Sequence, residues 1–266
     1  MENEQSKSNK INWKSVLIGV IIGAILIGFG VLIWFTLQPK PEESTPTPTT
    51  RTSTTSAQKD ETAPLSTFYN LTCGQTQIYT SIERGLKTPD KVCFLNLELD
   101  GLTQFPPELV RFPNLKVLFL HSNKISKIPD NIDKLTNLVE LSLNHNEISG
   151  LPNTVSKLSN LRRFDLSNNK LTGLPAAIGE ITSLENLILR DNQITSLPSE
   201  VGKLKNLTQL YLANNKLTQL PSEIVNLKKL WLLCLENNNF DKNEQTRIKN
   251  LLPITEVYFE TCPGGE

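Results

Sequence analysis

The feature that most constrains the fold of this 266-residue chain is an asparagine that recurs at a constant interval. Each member of the series lies 23 residues after the one before it. A fixed period of this length indicates a chain built from stacked structural units, and this reading comes before any local assignment of helix or strand. The asparagines of the series are Asn123, Asn146, Asn169, Asn192, Asn215 and Asn238.

The residues around these asparagines align in seven units on the pattern LxxLxLxxNxLxxLPxxIxxLxN. Positions 4 and 6, for example Leu210 and Leu212, alternate with polar residues, as in a strand with one buried face. Positions 14, 18 and 21, here Leu220, Ile224 and Leu227, have the spacing of a short helical segment with one apolar stripe. Each unit is therefore predicted to contain a strand, a turn and a helical return around a shared core. The units begin at Val92, Leu115, Leu138, Leu161, Leu184, Leu207 and Leu230.

This pattern resembles the leucine-rich repeat family, in the 23-residue class with an LPxxI segment. That class occurs in bacterial membrane-anchored and surface proteins and in intracellular Ras-pathway scaffolds. The resemblance covers residues 92–259 and places seven repeats at 92–253. It implies an α/β solenoid, a right-handed horseshoe with a parallel β-sheet on its concave face, and it implies that this face is the binding surface.

The recurring asparagine stands where the chain turns away from the strand, which leaves backbone N–H and C=O groups without ladder partners. A side-chain amide both donates and accepts hydrogen bonds, so it can supply either kind of partner. In the first unit Asp100 takes this position. The resemblance implies a structural asparagine ladder formed by Asn123, Asn146, Asn169, Asn192, Asn215 and Asn238.

The segment before the repeats, residues 68–91, is predicted to be an N-terminal cap. A helix is expected from about Gln75 to Lys87, because Ile78, Ile82 and Leu86 would share one face. Such a cap would cover the leucines of the first unit.

The segment after Asn238 lacks the LP motif at positions 14 and 15 and is predicted to be a C-terminal cap. Asp241 and Glu244 form a capping-box-like start for a helix that should run through Leu252 and stop at Pro253. Residues 254–266 are predicted to supply a closing strand and a tail. Positions 1, 4 and 6 of this last unit are Ile254, Val257 and Phe259.

The four cysteines fall into two pairs along the chain. The alignment places Cys262 at position 9 of the closing unit and Cys234 at the exposed position 5 of the preceding strand. This separation predicts two free thiols, because it exceeds the reach of a disulfide. A Cys73 to Cys93 disulfide fits a location outside the cytoplasm, and two unlinked cysteines are the alternative.

Positions 2, 3, 5, 7 and 8 point away from the core, and several of them carry apolar or aromatic residues that an exposed sheet does not need. Apolar residues rimmed by charges predict an interface for a protein or peptide. The alternative is that Phe94 and Trp231 are covered by the caps and that the other apolar residues are ordinary surface scatter. The candidate partner-binding residues are Phe119, Glu140, Arg163, Asp165, Ile188, Arg190, Gln209, Tyr211, Trp231 and Leu232.

The N-terminal part of the chain predicts a membrane anchor. Residues 15–38 carry no charge and would extend about 36 Å as a helix, enough to cross a bilayer. A cleaved signal peptide is the alternative, but its apolar region would be shorter, about 7–15 residues, and would end at a small-residue cleavage site. We therefore expect a retained single-pass signal anchor. Gly19 and Gly23 form a weak small-xxx-small pair for transmembrane dimerisation.

The lysines predict the orientation of this anchor. Lys7, Lys10 and Lys14 lie in the tail 1–14, which favours a cytoplasmic N-terminus with the repeats outside the cell membrane. Residues 39–67 are rich in proline, threonine and serine, which predicts a disordered stalk.

Several kinds of chemistry find no support in the sequence. The 27 acidic and 27 basic residues balance, so no nucleic-acid partner is expected. His121, His145 and Glu98 lack a metal-binding spacing, and no catalytic or nucleotide-binding motif is present. We expect no enzyme activity, cofactor or metal. The sequons at Asn70 and Asn206 matter only in a host that glycosylates exported proteins.

These features together predict a membrane-anchored protein-binding module for recognition or adhesion, displayed outside the cytoplasmic membrane. The first alternative is a cytoplasm-facing scaffold like the Ras-pathway relatives. The second is a binding protein that assists or inhibits an enzyme.

Overall fold

The computed structural model of the protein describes residues 77–263, all within one compact unit of the chain, Ser56–Glu266. Among these residues, no helix has both the length and the apolar content that crossing a membrane requires. The predicted tail 1–14, membrane span 15–38, its Gly19 and Gly23 pair, and the stalk 39–67 lie outside the described residues.

A nine-stranded, fully parallel sheet forms one side of the domain, and its strands follow one another in chain order. Equivalent positions of successive units lie opposite each other, as at Gln209 and Leu232 or Tyr211 and Cys234. The predicted stack of parallel strands is thus confirmed. The strands are β1 (Ile78–Tyr79), β2 (Phe94–Asn96), β3 (Val117–Phe119), β4 (Glu140–Ser142), β5 (Arg163–Asp165), β6 (Asn186–Ile188), β7 (Gln209–Tyr211), β8 (Leu232–Cys234) and β9 (Glu256–Tyr258).

The helical return of each of the first six units is a five-residue 3₁₀ helix that starts directly after a proline. A 3₁₀ helix rises about 2 Å per residue against 1.5 Å in an α-helix, so a five-residue return covers more distance. Pro221, for example, keeps the chain extended (φ −61°, ψ 145°) until the helix begins. These returns are Pro107–Arg111, Asp130–Lys134, Asn153–Lys157, Ala176–Glu180, Ser199–Lys203 and Ser222–Asn226, and a shorter 3₁₀ segment, Pro89–Lys91, precedes the first unit.

The core is one continuous cluster of side chains between the sheet and the 3₁₀ segments, running from Tyr79 to Leu252. Leu207, Leu210 and Leu212 are fully buried, and so are their counterparts in the inner units. Since one unit could not enclose these leucines alone, stacking is what removes them from water.

The N-terminal end differs from the prediction. Ile78 and Tyr79 form strand β1 beside β2, and helix α1 (Ile82–Gly85) is only four residues long. The predicted helix from Gln75 to Lys87 is therefore wrong at Ile78–Tyr79 and confirmed only at Ile82–Gly85, while Gln75 itself lies outside the described residues. Pairing with the otherwise open edge of β2 satisfies that edge's backbone groups, which outweighs the helical spacing of the apolar residues.

The C-terminal cap begins as predicted, with helix α2 (Lys242–Leu251). The Asp241 carboxylate accepts the Glu244 backbone N–H at 2.7 Å. Glu244 in turn accepts the Leu220 N–H at 3.0 Å, and Arg247 donates to the Leu220 carbonyl at 2.6 Å. The hydrogen bond from Arg247 holds the pKa of Glu244 below its usual value. This charged pair thus fastens α2 to the last LP segment.

The closing strand is β9, and the cysteines near it correct the prediction of free thiols. Cys234 and Cys262 form a disulfide with their Cα atoms 5.7 Å apart. The prediction was wrong because the chain does not make the repeat's turn after Phe259. It bends back over β8 instead, which brings Cys262 above position 5 of that strand. Cys93 is also disulfide-bonded; Cys73 lies outside the described residues, so the Cys73 to Cys93 pairing stays a prediction.

Candidate functional site

The strand face is the outward surface of the sheet, formed by positions 2, 3, 5, 7 and 8 of each unit. The strand register arranges most candidate residues in two rows across it. Position 5 gives one row, in which Phe119, Ile188 and Tyr211 are spaced over β3 to β7. Position 3 gives the other row: Glu140, Arg163, Asn186, Gln209 and Leu232.

The position-9 asparagines hold the turn at one edge of this face. The Asn169 side chain donates to the carbonyls of Leu143, Leu166 and Ser167 at 3.0 to 3.1 Å, and it accepts the Ile148 N–H at 2.9 Å. The other members make the equivalent bonds one unit apart. Each amide therefore joins two consecutive units, and it keeps the ends of their strands in register.

The residues at position 8 of each unit form a further row, beside the position-9 asparagines. This row was not predicted from the sequence. Its residues have φ angles between 52° and 59°, the left-handed region that asparagine, aspartate and histidine tolerate best. Asn214 donates to Asp191 at 2.7 Å, and Asn237 donates to Asn214 at 2.6 Å. The sequence signal for this row was the recurrence of asparagine, aspartate or histidine every 23 positions, which indicates a left-handed backbone. The row consists of Leu99, Ser122, His145, Asn168, Asp191, Asn214 and Asn237.

Position 23 of several units carries another row of asparagines, at the opposite edge of the units from position 9. Asn137 donates to the Pro113 carbonyl at 2.7 Å, and Asn160 donates to that of Thr136 at 2.9 Å. Asn206 makes the same bond to Thr182 and accepts from Lys229, so the side chain of this sequon is already engaged. The asparagine at position 23 therefore has the same structural role as the asparagine at position 9, which is to connect neighbouring units by hydrogen bonds.

The β2 to β3 end of the strand face is aromatic. The Phe94 and Phe119 rings meet edge to face with centroids 5.0 Å apart, and His121 follows at 5.9 Å from Phe119. His121 Nε2 lies 3.2 Å from a Glu98 carboxylate oxygen. Phe94 is buried, whereas Phe119 is partly exposed.

The centre of the face is charged. Glu140 is only 4% exposed, and its carboxylate lies 3.3 Å from the Arg163 guanidinium on the next strand. Asp165 accepts hydrogen bonds from the backbone and the hydroxyl of Ser167 at 3.0 and 2.7 Å. Because both acids are engaged within the sheet, they orient neighbouring side chains as well as adding charge.

The β6 to β7 region carries two neighbouring apolar or aromatic side chains, Ile188 and Tyr211, which we call the Tyr211 seat. Two arginines lie nearby. Ile188 is 5% exposed, and Tyr211 beside it is partly exposed. Burial raises the pKa of Tyr211, while the positive charges of Arg163 and Arg190 act in the opposite direction. These charges are thus close enough to act on the phenol, so the ring and the two cations lie on the same part of the face.

Two sequence profiles of one family match the chain. The profile described as leucine-rich repeat region matches residues 107–191, and the profile described as leucine-rich repeat matches residues 182–240. The chain is a leucine-rich repeat protein. The resemblance seen in the sequence is therefore confirmed.

Solved structures with the same fold include bacterial and plant proteins. A leucine-rich repeat protein of Leptospira interrogans is 40% identical with a TM-score of 0.63, over 64% of this chain and 43% of that one. The plant peptide hormone receptor RGFR1, in complex with RGF2, is 26% identical with a TM-score of 0.57, over 69% and 30%. An internalin from Listeria monocytogenes, 24% identical with a TM-score of 0.51 over 65% and 56%, shows the fold alone. The chain thus spans less than half of the first two proteins. A search of curated proteins gave no significant match.

The remaining candidate partner-binding residues of the leucine-rich repeat domain differ in how exposed they are. Trp231, at position 2, is 38% exposed, and Gln209 is partly exposed. Leu232 is fully buried beneath the C-terminal tail. Leu232 is therefore closed to a partner in this structure, whereas Gln209 and Tyr211 on β7 and Glu256 and Tyr258 on β9 stay at least partly exposed.

No metal-binding cluster of three or more histidine, cysteine, aspartate or glutamate side chains occurs within residues 77–263. Leucine-rich repeats are typically interaction scaffolds, and nothing positive in the part of the chain that the structure describes indicates catalysis. The chemical features of the strand face that a partner could contact are its aromatic end and its paired charges.

Proposed function

We propose that this protein is a non-catalytic binding module whose strand face receives a peptide or protein segment. The observation that carries the proposal is the seat formed by Ile188 and Tyr211 with Arg163 and Arg190 close by. Tyrosine and arginine are among the residues that most often carry binding energy at protein interfaces. Balanced charges around an apolar centre favour a specific partner over a general polyelectrolyte.

The plant receptor among the structural neighbours supports a peptide as the partner class, since it is a peptide hormone receptor in complex with RGF2. That property belongs to the receptor. For the present chain it motivates a search among extended peptides, which can lie across several strands and reach both the aromatic end and the Tyr211 seat.

We further propose that the domain is displayed outside the cytoplasmic membrane on the anchor 15–38. The disulfide between Cys234 and Cys262 supports an oxidising compartment, because cytosolic thiols are kept reduced. It weighs against the cytoplasm-facing scaffold. Protease treatment of intact cells tests the placement: we expect loss of the repeat domain, and survival of the domain while known surface proteins are cleaved would contradict it.

Capture from a phage-displayed library of random peptides tests the binding site. The full-length protein should enrich peptides, and Phe119→Ala, Ile188→Ala or Tyr211→Ala should weaken their binding by at least about tenfold for one or more variants. Lys216→Ala is the matched control, since Lys216 is exposed at position 10, off the strand face. Undiminished binding by all three face variants would contradict the proposed site.

A further inference from the structure

The C-terminal strap, residues 260–263, lies over the β8 end of the strand face. Cys262 forms one apolar cluster with Leu232 and Cys234 at positions 3 and 5 of β8, and Tyr211 and Tyr258 pack against it. Burial alone does not mark a covered position, since Val117 at position 3 of β3 is also fully buried; it is the contact with Cys262 that covers Leu232 and Cys234. The same positions of β7 stay partly exposed.

The strap has two attachments to the sheet. One is the disulfide from Cys262 to Cys234, and the other is the Cys262 N–H, which donates to a Glu236 carboxylate oxygen at 2.8 Å. The side chains of Glu260, Thr261 and Pro263 are exposed. The strap therefore buries little of its own surface, and the disulfide is what keeps it in place.

The contacts of Cys262 are those that a bound peptide would use on this face. Its side chain occupies the position-3 and position-5 seat, and its backbone N–H bonds to a position-7 side chain, Glu236. Charge-assisted bonds of this kind are among the stronger hydrogen bonds in proteins. The strap thus fills, with a segment of the same chain, a place that the neighbouring strands leave open.

We propose that the strap is an intramolecular occupant that sets the C-terminal boundary of the binding surface. With the strap in place, a partner lying across β3 to β7 meets Tyr211 as its last contact before the covered strand β8; this consequence for a partner rests on the proposed function. Release of the strap uncovers Leu232 and one side of Tyr211, and it lengthens the open face by one strand spacing, about 4.8 Å.

Tyrosine nitration in the full-length protein tests this proposal without any partner. Two variants release the strap by different routes: Cys234→Ser with Cys262→Ser, and Cys234→Ser in a chain that ends at Phe259. Tetranitromethane labelling, read by mass spectrometry, should rise several-fold at Tyr211 in both variants. Tyr79, buried at the distant β1 end, is the internal reference and should not change.

Two labelling results would overturn the proposal. One is unchanged labelling of Tyr211 in either variant when its thermal melt shows a folded repeat domain. The other is an equal rise at Tyr79, because the disulfide would then hold the whole domain together. A failure to find a binding peptide would instead count against the proposed function, since the labelling requires no ligand.

Discussion

At the scale of single residues, the protein separates positions that hold units together from positions that stay open between them. The asparagine at position 9 uses its amide for bonds within the turn, as Asn169 does with carbonyls of two units. Tyr211, four residues before another member of the same ladder, leaves its ring on the strand face. The 23-residue period, together with the family resemblance that it carries, predicted the first kind of role, because a repeated contact requires a repeated residue.

Replacing Asn169 with alanine should lower the free energy of unfolding by about 1–3 kcal/mol, because buried backbone groups would lose their partners. Chemical denaturation measures the change. Lys216→Ala is the control, since Lys216 is exposed at position 10 and its φ is not positive. An Asn169 variant as stable as the wild type would contradict the ladder's role.

Leu99 is an exception in the position-8 row, since it is 69% exposed and has a φ of 59°. A left-handed conformation that asparagine adopts readily is unfavourable for leucine, so Leu99→Asn should stabilise the domain by about 1 kcal/mol. Ile254→Asn, at a residue 77% exposed without a positive φ, should give no such gain. Equal effects of the two substitutions in a urea titration would point to lost surface hydrophobicity in place of relieved strain.

At the scale of elements, the sequence predicted the strands better than the returns. Positions 18 and 21 are three residues apart, which fits both an α-helix and a 3₁₀ segment, whereas position 14 lies before the proline and outside the segment. Strand β1 was missed because Ile78 and Tyr79 gain their partners from β2, which no local pattern reveals. The strap was missed for the same reason, since Cys262 leaves the repeat register and folds back over β8.

The 3₁₀ segments pack closely enough to require glycine at Gly202. A Cβ there would lie 2.5 Å from the Glu223 carbonyl oxygen and 2.7 Å from the Glu223 Cβ, so Gly202→Ala should destabilise the domain by about 1–3 kcal/mol. Gly173→Ala is the control, because an added Cβ would have no atom within 4 Å. A thermal melt in which both variants match the wild type would contradict this packing.

At the scale of the whole molecule, the architecture could be predicted from the sequence and the binding site only in outline. The candidate residues do fall in rows on one face, but Glu140 and Ile188 are nearly buried and Leu232 is closed by the strap. Exposure on the face depends on long-range packing of side chains and of the tail, which the alternation of a strand does not encode. The open part of the site therefore centres on Tyr211.

Stability and binding thus depend on different positions of the same repeat. A paired experiment checks this division: thermal melting and library-peptide binding of Asn169→Ala and Tyr211→Ala, each in the full-length protein. We expect Asn169→Ala to lower the melting temperature while its folded fraction keeps the affinity for the peptides. We expect Tyr211→Ala to weaken binding by about tenfold or more with little change in melting. Tight peptide binding by a Tyr211→Ala protein that melts like the wild type would contradict the division.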